Sequence, residues 1–270
     1  MALKTGKKRG KRKKIADPQS NHDKRGIDID MVGVRGVCYP ITVKDKKHGL
    51  QNTVGTFNLF VNLPHQFKGT HMSRFVEILN KYHGSINIQK IPEILASMKK
   101  NLNARQAHLE VSFPYFIRKV APVSKAESFM EYDCTIHGVS KSRPKMKLTV
   151  RVPITTLCLC SKEISEEGAH NQRGMVNLSV QFEGMVWIED LVEMIESSAS
   201  CEIYPLLKRE DEKYVTEKAY SRPMFVEDIV RNIARKLDRM PGILWYCLDS
   251  ENWESIHSHN VYARVERARK

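Results

Sequence analysis

Two cysteines and a histidine lie close together in the second half of the chain, among polar side chains for which an apolar core has no use. Cys158 and Cys160 are one residue apart, and His170 follows within the polar run 168–173. A thiolate is a soft ligand and an imidazole a borderline one, so Cys158 and His170 suit a first-row divalent metal. Catalytic zinc sites commonly use three protein ligands and leave one position to water, and the third ligand is expected to be a carboxylate.

The cysteine pair allows other interpretations. Residues i and i+2 of a strand point to the same face, so if Cys158 and Cys160 lie on a strand they are either metal ligands together or a redox pair. In the second case Cys160 is the redox partner, and a disulfide formed under oxidation would disable the site. Most cysteines of intracellular proteins are small buried hydrophobic residues, and the spacing alone leaves that alternative open.

The chain resembles the type IB GTP cyclohydrolases in six segments that occur in the family's order and lie within residues 26–264. These segments are 68–75, 119–124, 157–173, 207–217, 225–231 and 251–259. The sequence departs from the family pattern at Leu159, where the family usually has proline, and leucine leaves free the backbone torsion that proline fixes. The basic N-terminal arm has no match in the family pattern.

The resemblance implies the tunnelling fold and a metal-dependent hydrolase. The implied reaction converts GTP and water to 7,8-dihydroneopterin 3'-triphosphate and formate, at the start of folate, pterin and modified-nucleoside biosynthesis. Cys158, His170 and Glu212 are the implied ligands of a divalent metal (zinc, manganese or iron(II)), which supplies Lewis acidity and activates water near neutral pH. On the residues alone, Glu212 lies in the dense charge run 208–213, which is usually a solvated loop.

The resemblance also implies roles for three further side chains. Glu227 is the carboxylate that anchors guanine, since it can accept two hydrogen bonds in the plane of N1 and the 2-amino group. His257, with Glu254 beside it, is the proton-transfer group, because ring opening, deformylation and reclosure move protons near pH 7. Without the resemblance, Glu227 is an ordinary solvated helix residue, and His257 with His259 are either ligands or merely exposed. The family places its sites at subunit interfaces, so a homotetramer is expected.

Three cationic or titratable side chains follow the end of a predicted strand. Lys68, His71 and Arg74 lie close in sequence, and their positive charge can receive a triphosphate. The alternative is a solvated turn with polar residues at the start of a helix. Ser73 is a candidate N-cap for that helix.

Composition predicts a globular protein of a reducing compartment. The chain has 270 residues, 41% of them hydrophobic, and its six cysteines are too scattered for a disulfide framework, so a cytoplasmic location is expected. No apolar run reaches the roughly 18 residues that a membrane helix needs. No apolar segment of the kind found in secretory signals follows the charged start.

The net charge of +13 is concentrated at the N-terminus, where residues 1–25 contain ten Lys or Arg and two Asp. Such a run predicts a disordered basic tail, followed by a domain over 26–270. The tail is either an arm that contacts nucleic acid non-specifically, binds a membrane surface or serves in targeting, or it is solvated without a partner.

Hydrophobic periodicity predicts the same element order twice. The order strand-strand-helix-helix-strand-strand spans about residues 30–140 and again about 145–268, which predicts an α+β fold with antiparallel sheets and helices on one face. The predicted strands are 38–43, 53–63, 108–113, 130–136, 147–154, 175–182, 243–247 and 261–265. The predicted helices contain Phe75, Ile78 and Leu79; Leu95, Met98 and Leu102; Ile188, Leu191, Val192 and Ile195; and Phe225, Ile229, Ile233 and Leu237.

Two other functions stay open at this point. A tunnelling-fold nitrile reductase of queuosine synthesis would use a cysteine nucleophile and NADPH, but the His170 and Glu212 ligand set argues against it. A basic nucleic-acid-binding protein with a structural metal is the non-enzyme alternative. Aromatic content is 8% and no run alternates aromatic with basic residues, as stacking platforms for bases require.

Overall fold

The computed structural model describes residues 18–82, 87–141 and 144–269. Within these ranges the strands are β1 (Ile29–Asp45), β2 (Gly49–Leu63), β3 (Ala107–Val120), β4 (Glu127–Ser140), β5 (Pro144–Leu157), β6 (Asn171–Phe182), β7 (Cys201–Glu202), β8 (Ile243–Asn252) and β9 (Val261–Ala268). The helices are α1 (Ser73–Lys81), α2 (Ile91–Asn101), α3 (Leu159–Ile164), α4 (Ile188–Glu196), α5 (Arg209–Ser221) and α6 (Val226–Leu237). Two short 3₁₀ helices lie at Pro18–Ser20 and Ile88–Lys90.

The described strands form one antiparallel sheet in the order β1-β2-β3-β4-β5-β6-β8-β9, and the short β7 pairs with β5. Buried and exposed residues alternate along β2 and β5, as expected for strands with one covered face. Gly49 begins β2 with a φ of +85°, a conformation that favours glycine, and this allows the tight β1–β2 turn.

The helices pack on one face of the sheet and bury its apolar side. Helix α2 contacts β3 and β4, α4 contacts β5, and α6 contacts β8 and β9. Helices α2, α4 and α6 each present an apolar stripe with a helical period to the sheet, as in α6, where Ile229, Ile233 and Leu237 are fully buried. A single hydrophobic cluster runs across both halves of the sheet.

The predicted α+β fold with a duplicated element order is confirmed. Strands β1 to β4 with α1 and α2 repeat as β5, β6, β8 and β9 with α4 and α6. Among the described residues, the second half also contains α3, β7 and α5, which have no counterpart in the first.

Two local predictions were wrong, and one interpretation lost its structural condition. That interpretation needed Cys158 and Cys160 to share a strand, but β5 ends at Leu157 and Cys160 lies in α3. Ser73 is the first residue of α1 rather than its N-cap, and the N-cap Met72 makes no side-chain capping hydrogen bond. The charge run 208–213 is not a loop: most of it forms the first turns of α5, where three acidic residues favour the helix N-terminus.

Of the predicted basic tail, residues 1–17 lie outside the described residues. The described helices include none that is long and apolar enough to cross a membrane.

Candidate active site

Cys158 and His170 face each other across the end of the β5–β6 ladder. The ladder pairs Thr156 with Gln172 and Leu157 with Asn171, so the next position in register joins Cys158 to His170. The pairing continues there, because the Cys158 backbone N–H donates to the His170 carbonyl at 3.1 Å. Two residues twelve apart in sequence are thus held side by side by backbone geometry, and the side chain of His170 is only 13% exposed.

Helix α3 begins at the cysteine. Cys158 is its N-cap residue, and its Sγ accepts a hydrogen bond from the Ser161 backbone N–H at 3.4 Å. Cys160 is the second residue of α3 and is exposed. Lys162 holds α3 against the end of α5, with its Nζ 2.5 Å from the Tyr220 carbonyl and 4.2 Å from the centre of that ring.

A chain of polar side chains lies behind His170. Its Nδ1 is 3.0 Å from Gln172 Oε1 and 3.2 Å from Ser255 Oγ. Gln172 in turn donates from Nε2 to Glu254 Oε1 at 3.0 Å, and Glu254 Oε2 lies 4.0 Å from Nδ1. In the sequence Gln172 is only one member of a polar run, because the direction of its side chain depends on the register of β6.

Glu212 lies in the first turn of α5 and is exposed. Its neighbour Asp211 is fully buried, and its carboxylate accepts from the Val123 and Ser124 backbone N–H groups at 2.8 and 2.9 Å. Burial alone would raise the pKa of Asp211, but hydrogen bonds from Ser124, Lys208 and Val123 outweigh it and hold the pKa well below its usual range. Asp211 therefore anchors α5 to the β3–β4 turn, at the sheet end where β5 stops.

Asp211 was missed because the run around it looked uniformly solvated. A usable signal was present, since an acidic residue at the third helical position often accepts from the N-cap backbone. Lys208 N donates to Asp211 Oδ2 at 2.9 Å in this way.

Glu227 lies in the first turn of α6 and is exposed. The segment before the helix is tied to the same sheet end, because Met224 N donates to the Leu157 carbonyl at 3.0 Å. Leu157 immediately precedes Cys158, so one strand end positions both the cysteine and the start of α6.

His257 lies in the β8–β9 connection, exposed and stacked on His259 with ring centroids 5.1 Å apart. Glu254, three residues earlier, is instead directed to Gln172 and His170. Because β8 ends beside the start of β6, with Asn252 paired to Gly174, this connection shares the sheet end of Cys158.

The three candidate phosphate-binding residues lie at the opposite end of the sheet. In register, the end of β2 lies beside the start of β3, the end of β4 and the start of β5 at Pro144. Strand β5 then runs on to Leu157, about 40 Å at roughly 3.3 Å per residue. Lys68 is exposed there, and Arg74 Nη1 donates to the Asn101 carbonyl at 2.8 Å.

Within the part of the chain that the structure describes, no three His, Cys, Asp or Glu side chains converge as a metal site. One copy of the chain thus gathers Cys158, His170, Glu212, Glu227, Glu254 and His257 at one sheet end, without bringing Glu212 onto the Cys158–His170 pair. It leaves Lys68, His71 and Arg74 at the other end.

A cavity of about 280 Å³ lies beside the pair, between the β5–β6 ladder, β7 and α5, with Arg173 and Glu202 in its lining. Glu202 accepts from Lys218 and from the Tyr204 hydroxyl, each at 2.6 Å. Burial alone would raise the pKa of Glu202, but these two hydrogen bonds outweigh it and lower the pKa to about 2. The carboxylate is therefore ionised and tied to α5 at neutral pH.

Comparison with known proteins gives a family for nearly the whole chain. The family model for type I GTP cyclohydrolase folE2 matches residues 15–263. GTP cyclohydrolase FolE2 of Syntrophobacter fumaroxidans is 54% identical over 94% of this chain and 100% of its own length. The FolE2 of Magnetococcus marinus is 53% identical over 93% of this chain and 96% of its own.

Urate oxidases are among the solved structures with a similar fold. A highly active mutant of Bacillus sp. TB-90 urate oxidase superposes with a TM-score of 0.54 and 11% identity, over 89% of this chain and 100% of its own. Uricase from Arthrobacter globiformis has a TM-score of 0.50 and 6% identity over 89% and 94%. At these identities the likeness shows the fold, and it confirms the expected tunnelling fold.

Proposed function

The chain belongs to the type I GTP cyclohydrolase FolE2 family, and we propose from this premise that it converts GTP and water to 7,8-dihydroneopterin 3'-triphosphate and formate. The observation that carries the proposal is the thiol–imidazole pair of Cys158 and His170 across the β5–β6 ladder. The family membership decides against the nitrile reductase and the nucleic-acid-binding alternatives. The pathway proposed for the product is folate and pterin biosynthesis.

The family match names FolE2, and the finer type IB assignment belongs to this proposal. The domain boundaries also belong to this proposal. They consist of a basic tail over 1–25 and two modules of about 30–140 and 145–268. The repeated element order supports the two modules.

The chemistry of the donor set fits a divalent metal. Cys158 offers a sulfur and His170 an imidazole, and both suit zinc or iron(II), while a carboxylate from Glu212 also admits manganese. When bound, such an ion supplies Lewis acidity and activates water near neutral pH. The residues fit in part, because the cysteine and the histidine are adjacent whereas Glu212 lies exposed on α5 at the same sheet end.

Glu227 is proposed to anchor the guanine base. A carboxylate accepts two hydrogen bonds in one plane, which matches the N1 and 2-amino groups of guanine. Its exposed place at the start of α6, next to the strand end that carries Cys158, supports this role.

Two side chains are proposed to move protons during ring opening and reclosure. His257 is exposed in the loop that follows β8, with access to a substrate at this sheet end. Glu254 lies further in, against Gln172 and His170.

Lys68, His71 and Arg74 are proposed to bind the triphosphate of a GTP held by another copy of the chain. About 40 Å of strand separates them from Cys158 within one copy, too far for one nucleotide to span. This separation supports the expected homotetramer with sites between subunits. Non-specific contact of the basic tail with nucleic acid is a separate proposal.

The test is turnover by protein stripped with a chelator. GTP is supplied with zinc, manganese or iron(II), and formate and the fluorescent pterin formed after oxidation are both measured. Metal-dependent release of both products is expected, and the rates rank the metals. Folded protein that releases neither product with any of the three metals contradicts the proposal.

A further inference from the structure

We propose that Gln172, oriented by Glu254, selects the tautomer of His170 that leaves Nε2 free for the metal. This makes Gln172 a positioning residue of the metal centre, and the inference rests on the proposed function of His170 as a ligand. A neutral imidazole carries its proton on one of two nitrogens, and only the other nitrogen can bind a metal. The hydrogen bonds around His170 determine which nitrogen that is.

The first step is the orientation of the Gln172 amide. The amide nitrogen Nε2 of Gln172 lies 3.0 Å from Glu254 Oε1, and because an amide nitrogen can only donate, the Glu254 oxygen accepts. Both side chains are held in place, since Gln172 is 9% exposed and the Glu254 side chain is also 9% exposed. A flipped amide would place two oxygens against each other in a nearly dry site.

The second step follows from the first. With its nitrogen on Glu254, Gln172 turns Oε1 towards His170 Nδ1 at 3.0 Å, and an oxygen needs a hydrogen from that nitrogen. The surroundings agree: Ser255 Oγ at 3.2 Å can accept from the same N–H, and Glu254 Oε2 lies 4.0 Å away. The proton therefore lies on Nδ1.

The third step gives the consequence for the metal. With Nδ1 protonated, the lone pair is on Nε2, the nitrogen that makes none of these bonds to Gln172 or Ser255. The backbone pairing of His170 to Cys158 and of Gln172 to Thr156 keeps this arrangement on the rigid end of the sheet. Hydrogen-bond partners of metal-bound histidines typically change metal affinity about 10–100-fold when they are removed.

The experiment measures zinc affinity by competition with a chromophoric chelator, without any substrate. The variant Gln172→Leu keeps the volume of the side chain and removes both hydrogen bonds. Its zinc affinity is expected to fall about 10–100-fold. The matched control is Gln51→Leu, because Gln51 also uses both ends of its amide, with Phe116 N and O each at 2.8 Å, but lies in β2 away from the pair. Its zinc affinity should equal that of the wild type.

A second variant keeps the test valid if Gln172→Leu folds poorly. The double substitution Gln172→Glu with Glu254→Gln reverses the two groups but retains an acceptor facing Nδ1 and a donor facing residue 172. Zinc affinity close to that of the wild type is expected. Equal losses in this double variant and in Gln172→Leu, or wild-type affinity in a folded Gln172→Leu, would overturn the inference.

Failure of the metal centre itself has a different signature. If the wild type binds no zinc, or if His170→Ala binds it as well as the wild type, the proposed ligand is wrong. If His170→Ala loses zinc while Gln172→Leu keeps it, His170 remains a ligand and only the role of Gln172 fails.

Discussion

The two halves of the sheet share an element order but differ in what is inserted. The first half, β1 to β4, carries α1 and α2 as an apolar layer, whereas the second half adds α3, β7 and α5 among its described elements. The residue pair with metal-binding chemistry, Cys158 and His170, brackets the first of these insertions. The repeated scaffold supplies a rigid strand end, and the added segments place reactive groups on it.

The largest expected effect compares one cysteine from each half. Cys158→Ala should lose the bound metal and all GTP turnover together, because a ligand is removed. Cys134→Ala, in the buried core of β4, should keep both and only lower the melting temperature. Both variants are compared by their metal content, from elemental analysis, and by their rate of formate release. A full complement of metal in a folded Cys158→Ala would show that the thiolate is not a ligand.

The next effect compares glutamates in the first turn of a helix from each half. Glu227→Gln should raise the KM for GTP about 10–100-fold, because a guanine N–H group left without its acceptor in the complex costs about 1–3 kcal/mol, and the metal content should not change. Glu93→Gln, in the first turn of α2, should leave both unchanged. Steady-state kinetics gives the KM for GTP of both variants, and elemental analysis gives their metal content. An unaltered KM for Glu227→Gln would show that this residue does not bind guanine.

A third comparison sets His257 against His48, an exposed histidine at the β1–β2 turn. His257→Ala should lower kcat about 10²-fold or more and leave GTP binding intact, as expected when a proton carrier is lost. His48→Ala should have no effect on either quantity. Equal kcat in the two variants would exclude His257 as the proton carrier.

The smallest effect concerns stability of the inserted segments. Glu202 joins β7 to Lys218 of α5, and Glu202→Gln should lower the melting temperature by a few degrees at pH 7. Because the folded-state pKa of about 2 lies below the ordinary value of about 4.3, this stabilisation is present above roughly pH 4 and is lost as the pH falls towards 2. Melting curves of both proteins should therefore converge at low pH, and a constant difference would contradict the assignment.

The sequence predicted the regular elements well, because periodicity reports burial directly. Alternation in β2 and the helical period of α6 both reflect one covered face, and both elements appear where expected. The local structure around the reactive side chains was harder to predict. Cys158 follows the end of β5 and is the N-cap of α3, and nothing in the residues alone showed that a helix would start there.

Contacts between residues far apart in the sequence could not be predicted from the sequence. The burial of Asp211 depends on the turn at Ser124, 87 residues away, and the partner of Gln172 is Glu254, 82 residues away. Likewise, only the strand register shows that Lys68 and Cys158 lie at opposite ends of the sheet. Such pairings depend on topology, which no local pattern encodes.

The claim that each site combines the two sheet ends of different copies is tested most directly by complementation between two variants. Cys158→Ala removes the proposed metal ligand at one sheet end, and the double variant Lys68→Ala with His71→Ala removes two of the proposed triphosphate-binding residues at the other. If each site combines the two ends from different copies, mixed oligomers of the two variants contain some intact sites, and formate release from GTP returns. Oligomers shown to be mixed, by pull-down of one tagged variant with the other, but still without activity would contradict a site shared between copies.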